Sequence, residues 1–414
     1  MRLRVNMSCA HMSISTRGAM RRSLGFSLIE LMVSLVIGLI TAIAVAQIYA
    51  NWVKQNRTVS STNDLQSTVA LAAFAIEQDI KRSGQGFGAA NSTISGGAGC
   101  PISGTATVNG ANNSVVLSPT GTGGLRLTGV QIIRGIDGAS DQIVTLYGNS
   151  DYRVASEAVL GGSTFNVTKV SSRAGFNNGD VVILGNSGFT DCRIVQVTST
   201  DSSVVLTDKA FGHDTTSYQS FYKPAGTTST PVFNQAGGVT GIEFIAAFNL
   251  GPAPQANQWR ISTASPNSAQ NPALQRFSVL PVDGVYPTPR AREVAEGAVN
   301  LQAQYGYDLN GDGRIGADEW YNPDETHRPD LSGAAVDWTR VLAIRYAILT
   351  RSRNYEPANV TTASPAWMGG GFVMTDIGGA ADTNPDSPLN WRRYRYSVAE
   401  SVVPLRNALW GRNQ

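Results

Sequence analysis

Histidine and cysteine are scarce in this chain of 414 residues, three of each, and charged side chains make up only 15%. The histidines are His11, His213 and His327. No H-E-x-x-H, no G-x-S-x-G, no phosphate-cradling glycine loop and no supported Cys–His pair accompanies them. Zinc-hydrolase, serine-hydrolase and nucleotide-driven chemistry therefore lack their residues. A glycosidase would need only two carboxylates, but no acidic pair stands out in an apolar setting. The chain reads as a non-enzyme.

Acid is missing from the first 25 residues, which hold Arg2, Arg4, Arg17, Arg21 and Arg22. Five of the 32 basic residues fall there, so the remainder carries 27 against 30 acidic, a net charge of −3. With no basic stripe interleaved with aromatics, nucleic acid is not an expected partner. Low charge and 43 glycines suit a β-rich, loop-rich exported protein. The length allows more than one folding unit.

What the chain does have is one long apolar run, FSLIELMVSLVIGLITAIAVAQIYA, from Phe26 to Ala50. It exceeds the roughly 20 residues that span a bilayer as a helix, and the arginines before it place the N-terminus in the cytoplasm. No A-x-A-like site follows it, which argues against a secretory signal peptide. Glu30 is its one acid. A carboxylate near the head of a membrane span is costly and calls for a partner, although a place at headgroup depth beside the arginines would also accommodate it.

The string Gly25-Phe26-Ser27-Leu28-Ile29-Glu30, after a basic leader and before an apolar helix, resembles the G-F-[ST]-L-[IV]-E processing site of type IV prepilins. The resemblance implies cleavage between Gly25 and Phe26 by a prepilin peptidase and N-methylation of Phe26. It also implies that Glu30 of one subunit neutralises the Phe26 amine of a neighbour during assembly, since a lone buried amine is costly. Translation is expected to begin at Met20, leaving the short leader MRRSLG. Such cleavage removes Cys9. Cys100 and Cys192 remain, and an exported body favours one disulfide closing a long loop, with two unpaired buried thiols as the alternative. Many major pilins break this helix with proline. Here there is none, and the body is large, which together suggest a low-abundance subunit.

Beyond the interfacial anchors Tyr49 and Trp52, Leu65, Val69, Ala72, Ile76 and Ile80 recur at helical spacing. Gln66, Glu77, Asp79 and Lys81 are assigned to the other faces. The helix is expected to stop near Ser83-Gly84, before the glycine-rich stretch Gln85–Gly99. Short β-branched runs then alternate with turn clusters: Ser114–Leu117, Gln131–Arg134, Gln142–Tyr147, Phe165–Val170, Asp180–Leu184, Arg193–Thr198 and Val204–Thr207.

Residues 308–319 match the calcium-loop pattern D-x-[DN]-x-[DN]-G-x5-E at every position. Asp308, Asn310 and Asp312 would offer side-chain oxygens, Arg314 its carbonyl, Gly316 a bridging water and Glu319 both carboxylate oxygens. Gly313 would permit the sharp turn. The period-two residues Val299, Leu301, Ala303, Tyr305 and Tyr307 put a strand before the loop, unlike an EF-hand. A metal-free Asx/Gly turn is the alternative.

The stretch Val299–Asp308 with its acidic loop, Val341–Ser352 and Arg393–Asn407 resemble, in this order, the C-terminal domain of PilW-type minor pilins. The resemblance implies an α+β, type IV pilin-like fold: a long N-terminal helix packed on an antiparallel sheet, carrying an inserted β-rich module. The expected divisions are a leader over 1–25, a membrane half of the helix over 26–50 and an amphipathic half over 51–84. A linker over 85–112, the inserted module over 113–235 and a PilW-like domain over 236–414 follow. The implied role is a minor pilin at the pilus tip that primes assembly. Its partners would be other minor pilins, the major pilin, a tip adhesin, the prepilin peptidase and the inner-membrane platform protein. It would sit in the inner membrane first and at the pilus tip afterwards. A J-like pseudopilin of type II secretion, or an adhesin acting through the central module, are the alternatives.

Overall fold

The computed structural model describes residues 27–87, 99–108, 114–117, 124–150, 156–161, 163–200, 209–236, 243–262, 272–282, 284–286, 289–323, 338–377, 384 and 387–406. The expected strand Val204–Thr207 and most of the expected linker lie outside them. Two compact units divide between Val59 and Ser60. One helix, α1 (Leu28–Arg82), is continuous for 55 residues, with no proline and a single glycine, Gly38.

In the first unit every described side chain of α1 is exposed. In the second, Leu65, Val69, Ala72, Ile76 and Ile80 form one buried stripe. The assignment of Asp79 to a polar face is corrected: it lies three residues after Ile76, within the stripe, and is only 4% exposed. Trp259 Nε1 (2.9 Å), Asn257 Nδ2 (3.1 Å) and Tyr147 Oη (3.3 Å) donate to its carboxylate. These donors make a buried acid tolerable, yet burial still raises its pKa above the ordinary value. The helix ends where Ser83 Oγ donates back to the Ile80 carbonyl (2.7 Å). Gly84 takes φ +81, a left-handed geometry that suits glycine, and its N–H donates to the Leu146 carbonyl (2.9 Å).

Seventeen strands build the larger sheets and one strand pair: β1 (Pro101–Ser103), β2 (Leu125–Arg126), β3 (Val130–Ile133), β4 (Gln142–Tyr147), β5 (Glu157–Ala158), β6 (Val167–Lys169), β7 (Val181–Asn186), β8 (Cys192–Gln196) and β9 (Ala210–Gly212) come first. They are followed by β10 (Phe244–Gly251), β11 (Gln255–Ile261), β12 (Ala273–Ser278), β13 (Ala291–Glu296), β14 (Ala298–Tyr307), β15 (Trp320–Tyr321), β16 (Val341–Arg351) and β17 (Tyr396–Pro404). The orders are β13-β12-β11-β4-β3, β15-β14-β16-β17 and β2-β1-β8-β7-β10-β5, with β6 paired to β9.

The buried stripe of α1 packs on the first two sheets at once. Ala72, Ile76 and Ile80 share a core with Ile143 and Trp259 of the five-stranded sheet and with Leu301, Ile344 and Ile348 of the four-stranded sheet. Tyr346 Oη also donates to the Ala73 carbonyl (2.7 Å). Side chains alternate along β4, so Val144 and Leu146 point the other way. With Phe277 they meet Ile183, Ile194, Phe248 and Leu250 of the six-stranded sheet. The far face of that sheet is covered in turn by Val170, Phe176 and Phe211 around the β6–β9 pair. Strands β7 and β16 are buried on both faces, which is why they read as continuous apolar runs rather than alternations.

Strand pairing does not follow the expected division at residue 235. β7 pairs with β10, and β4 pairs with β11, so strands from both sides of the boundary share two sheets. Turn spacing reveals that strands exist but not which partner each finds. Cys100, just before β1, and Cys192, opening β8, are joined by a disulfide with Cα atoms 5.9 Å apart and a sequence separation of 92. A loop of that length contributes on the order of 4–5 kcal/mol by restricting the unfolded chain. Replacing both cysteines with serine is therefore expected to lower the stability of the detergent-solubilised chain by that order. Urea titration followed by tryptophan fluorescence checks it, and a loss below about 1 kcal/mol would contradict the loop-closure account.

Candidate functional site

The segment Leu28–Val53 of α1 has a mean hydropathy of 2.5 over its most apolar window, with none of that window buried, and is long and apolar enough to cross a membrane. Its hydroxyls are satisfied within the helix: Ser34 Oγ donates to the Leu31 carbonyl (2.9 Å) and Thr41 Oγ1 to that of Ile37 (2.5 Å). Such back-bonding lets a polar side chain reside in lipid. Tyr49 and Trp52 lie 6.2 Å apart, ring to ring, near its far end. Glu30 is the only charged residue of the segment and is exposed. Gly25 and Phe26 lie outside the described residues.

The loop 308–319 connects β14 to β15, which folds back so that Tyr321 pairs with Tyr305. Asp308 is fully buried and accepts N–H groups of Gly311 at Oδ1 (2.6 Å) and Gly313 at Oδ2 (3.0 Å). Asn310 Oδ1 accepts from the Asp312 N–H (2.9 Å), and Asp312 Oδ1 from that of Arg314 (2.8 Å). Glu319 closes the loop by accepting from Leu309 (2.9 Å) and Asn310 (3.3 Å) at Oε1 and from Gly316 (2.7 Å) at Oε2. Gly313 takes φ +78, a left-handed geometry costly for most side chains. Ile315 is half-buried, while Arg314 and Gly316 are exposed. The loop thus uses its acids to hold its own backbone. Among the described residues, no three of His, Cys, Asp or Glu converge on a point that could hold a metal.

His213 is the one described histidine. Its Nε2 lies 2.9 Å from Thr168 Oγ1, and burial pushes its pKa down to about 4. It is a neutral core residue rather than a proton carrier.

Residues 261–407 match the family of the type IV pilus-assembly protein W, and residues 20–46 match the prokaryotic N-terminal methylation motif. These two segments mark a PilW-like prepilin of type IV pili. No curated protein and no solved structure matches it. The PilW-like segment starts at the last residue of β11 and holds β12 to β17 with the acidic loop. A match to a pilus-assembly family agrees with the lack of catalytic motifs.

The PilW-like segment is stitched to the rest by a turn that sequence reasoning did not single out. The turn between β3 and β4 runs along the edge of β14. Asp141 accepts the N–H groups of Gly135 (2.8 Å) and Ala303 (2.8 Å), and its own N–H donates to the Leu301 carbonyl (2.7 Å). Ser140 Oγ accepts from the Leu301 N–H (3.1 Å), and Gln302 Nε2 donates to the Ala139 carbonyl (2.9 Å). Tyr305 Oη accepts from the Ile132 N–H (2.5 Å). The cluster Gly135–Asp141 reads only as a turn in sequence. Its role as an edge cover depends on a strand some 160 residues away.

Burial raises the Asp141 pKa to about 6, against the lowering effect of its two backbone hydrogen bonds. A carboxyl whose folded pKa exceeds its unfolded value stabilises the fold below the unfolded pKa, and that contribution fades as pH rises through the folded one. Stability is thus expected to fall between about pH 4 and 6, by an amount on the order of 3 kcal/mol. Asp141→Ala should flatten that slope and cost about 2–4 kcal/mol by orphaning two buried donors. Urea midpoints of both chains at pH 4, 5, 6 and 7 check this, and parallel curves would contradict it.

Proposed function

We propose that this PilW-like prepilin is a minor pilin of the pilus tip that primes filament assembly. It is cut between Gly25 and Phe26 by the prepilin peptidase, methylated on Phe26, and held in the inner membrane with its N-terminus cytoplasmic. The observation that carries this reading is the single helix, apolar and exposed through Val53, then buried along one stripe against the body. Such a helix suits a subunit that passes from lipid into a filament core. Glu30 stands near its head, where it can pair with the Phe26 amine of a neighbour. Leu71 and Phe74 remain exposed, at 54% and 59%, on the side of the amphipathic half away from the sheets, and offer apolar contact to a neighbouring helix. Its partners would be sister minor pilins, the major pilin, a tip adhesin and the platform protein.

Loop 308–319 is proposed to bind calcium as a structural ion. Asp308, Asn310, Asp312 and Glu319 would hold it with the carbonyl of Arg314 and a water at Gly316. The donor set is all oxygen, as this hard cation requires, and the turn at Gly313 is already formed. The ion would draw Asp312 and Asn310 inward from an exposed surface and stiffen the loop.

Deleting the gene should abolish or reduce surface pili at least tenfold. Wild-type chain should restore them and Glu30→Ala should not, as counted by electron microscopy. Normal pili without the protein would refute priming, and loss of secretion with intact pili would support the J-like pseudopilin instead. For the loop, 2 mM calcium should raise the melting temperature of the detergent-solubilised chain by several degrees, roughly what 1–2 kcal/mol produces. Glu319→Gln should lose that shift. An equal shift with magnesium, or none with calcium, would exclude a calcium site.

A further inference from the structure

Strand β17 ends the four-stranded sheet and pairs on one side only, with β16. Leu405 donates to the Leu342 carbonyl and Ser352 to that of Arg395, which fixes the phase of the ladder. Antiparallel alternation then directs the peptide groups of Ser397, Ala399, Ser401 and Val403 toward β16. Those of Tyr396, Val398, Glu400 and Val402 face outward. Among the described residues their N–H groups find no hydrogen-bond partner.

An open edge of nine residues is unusual because proteins ordinarily blunt such edges with charge, bulges or short length. The contrast within this molecule is direct. β13, an edge of the five-stranded sheet, packs Arg292, Glu293 and Glu296 into six residues and carries an irregularity in its register. β17 is regular throughout and has one charge, Glu400. Tyr396, Val398, Glu400 and Val402 share one face of the sheet, where Tyr396 and Val398 pack beside Phe372 and Trp367 and Glu400 accepts the Met368 N–H (2.8 Å), while their peptide groups leave the edge itself able to accept a further strand. Pro404 ends the open run, since it has no N–H to offer.

We infer that β17 is a docking edge for an extended strand of a different pilin subunit. The matching strand would place β-branched or aromatic side chains beside Val398 and Val402 and a lysine or arginine beside Glu400. Glu400 makes a second copy of this chain the poorer occupant in the register that centres the two strands on it, because it would then oppose itself. The inference rests on the prepilin reading and names a contact through which the folded body, rather than α1, selects its neighbour.

Val398→Pro removes an outward N–H without touching the ladder to β16, whereas Ala399→Pro removes an inward one. Both are expressed as full-length chain in cells depleted of the native copy, and sheared filaments are probed for the protein. Wild type should be present in filaments and Val398→Pro reduced at least tenfold, while in detergent Val398→Pro still melts cooperatively, within a few degrees of wild type. Equal incorporation of a folded Val398→Pro would overturn the docking edge and leave the prepilin reading standing. Absence of the wild type from filaments would overturn both. A detergent-phase dimer broken by Val398→Pro would name a second copy as the occupant and overturn the inference. Independently of any variant, amides of Val398, Glu400 and Val402 should exchange fast in the isolated chain and at least a hundredfold more slowly in filaments. Unchanged exchange would overturn the proposal.

Discussion

Everything in the folded body depends on one helical stripe finding two sheets. Ala72, Ile76 and Ile80 fill a core to which neither the five-stranded nor the four-stranded sheet contributes alone. The two sheets are not continuous with one another through strand pairing. They are neighbours because the same helix covers both and because Asp141 and Ser140 cover the edge that lies between them. Remove the apolar stripe and each sheet exposes one face, a situation a sheet of this size does not survive in water. The polar exception, Asp79, reinforces the arrangement. Its carboxylate reaches Trp259, Asn257 and Tyr147, and so ties the last turns of α1 to β4 and β11 in particular.

That dependence explains how much could be read from sequence. The helix was legible because its two halves announce themselves by different local signals, an unbroken apolar run and then a stripe at spacings of three and four. The acidic loop was legible because its hydrogen bonds join residues within twelve positions of each other. Asp79 was not, because periodicity places a side chain on a face but cannot tell which polar groups await it. The role of Asp141 was hidden for the same reason. The division at residue 235 rests on local patterns, whereas strand partnership is a long-range matter: β7 and β4 sit in one half of the chain and close on β10 and β11 in the other. Local patterns fix local structure, and pairings across a hundred residues leave little trace in them.

The PilW-like segment is therefore not a free-standing module in this chain. Its match begins at the end of β11, yet three of the five strands in the sheet beside it, β3, β4 and β11, lie before that point. The six-stranded sheet is stacked on the back of that same five-stranded sheet, on the face away from α1. A prepilin can grow in this direction without disturbing the surface its helix uses. Growth on the other side would compete with that helix for the same apolar strands.

On the proposed reading, the disulfide between Cys100 and Cys192 acquires a different meaning in a filament under load. A pilus subunit is anchored through its helix and pulled through its body, and any stretch that unravels adds slack. An extended residue contributes about 3.3–3.6 Å. The cross-link spans 92 residues, so it withholds roughly 300 Å of contour length from tension. Even if the six-stranded sheet were torn open, that length would stay knotted behind a covalent bond, and the subunit would transmit force instead of yielding it.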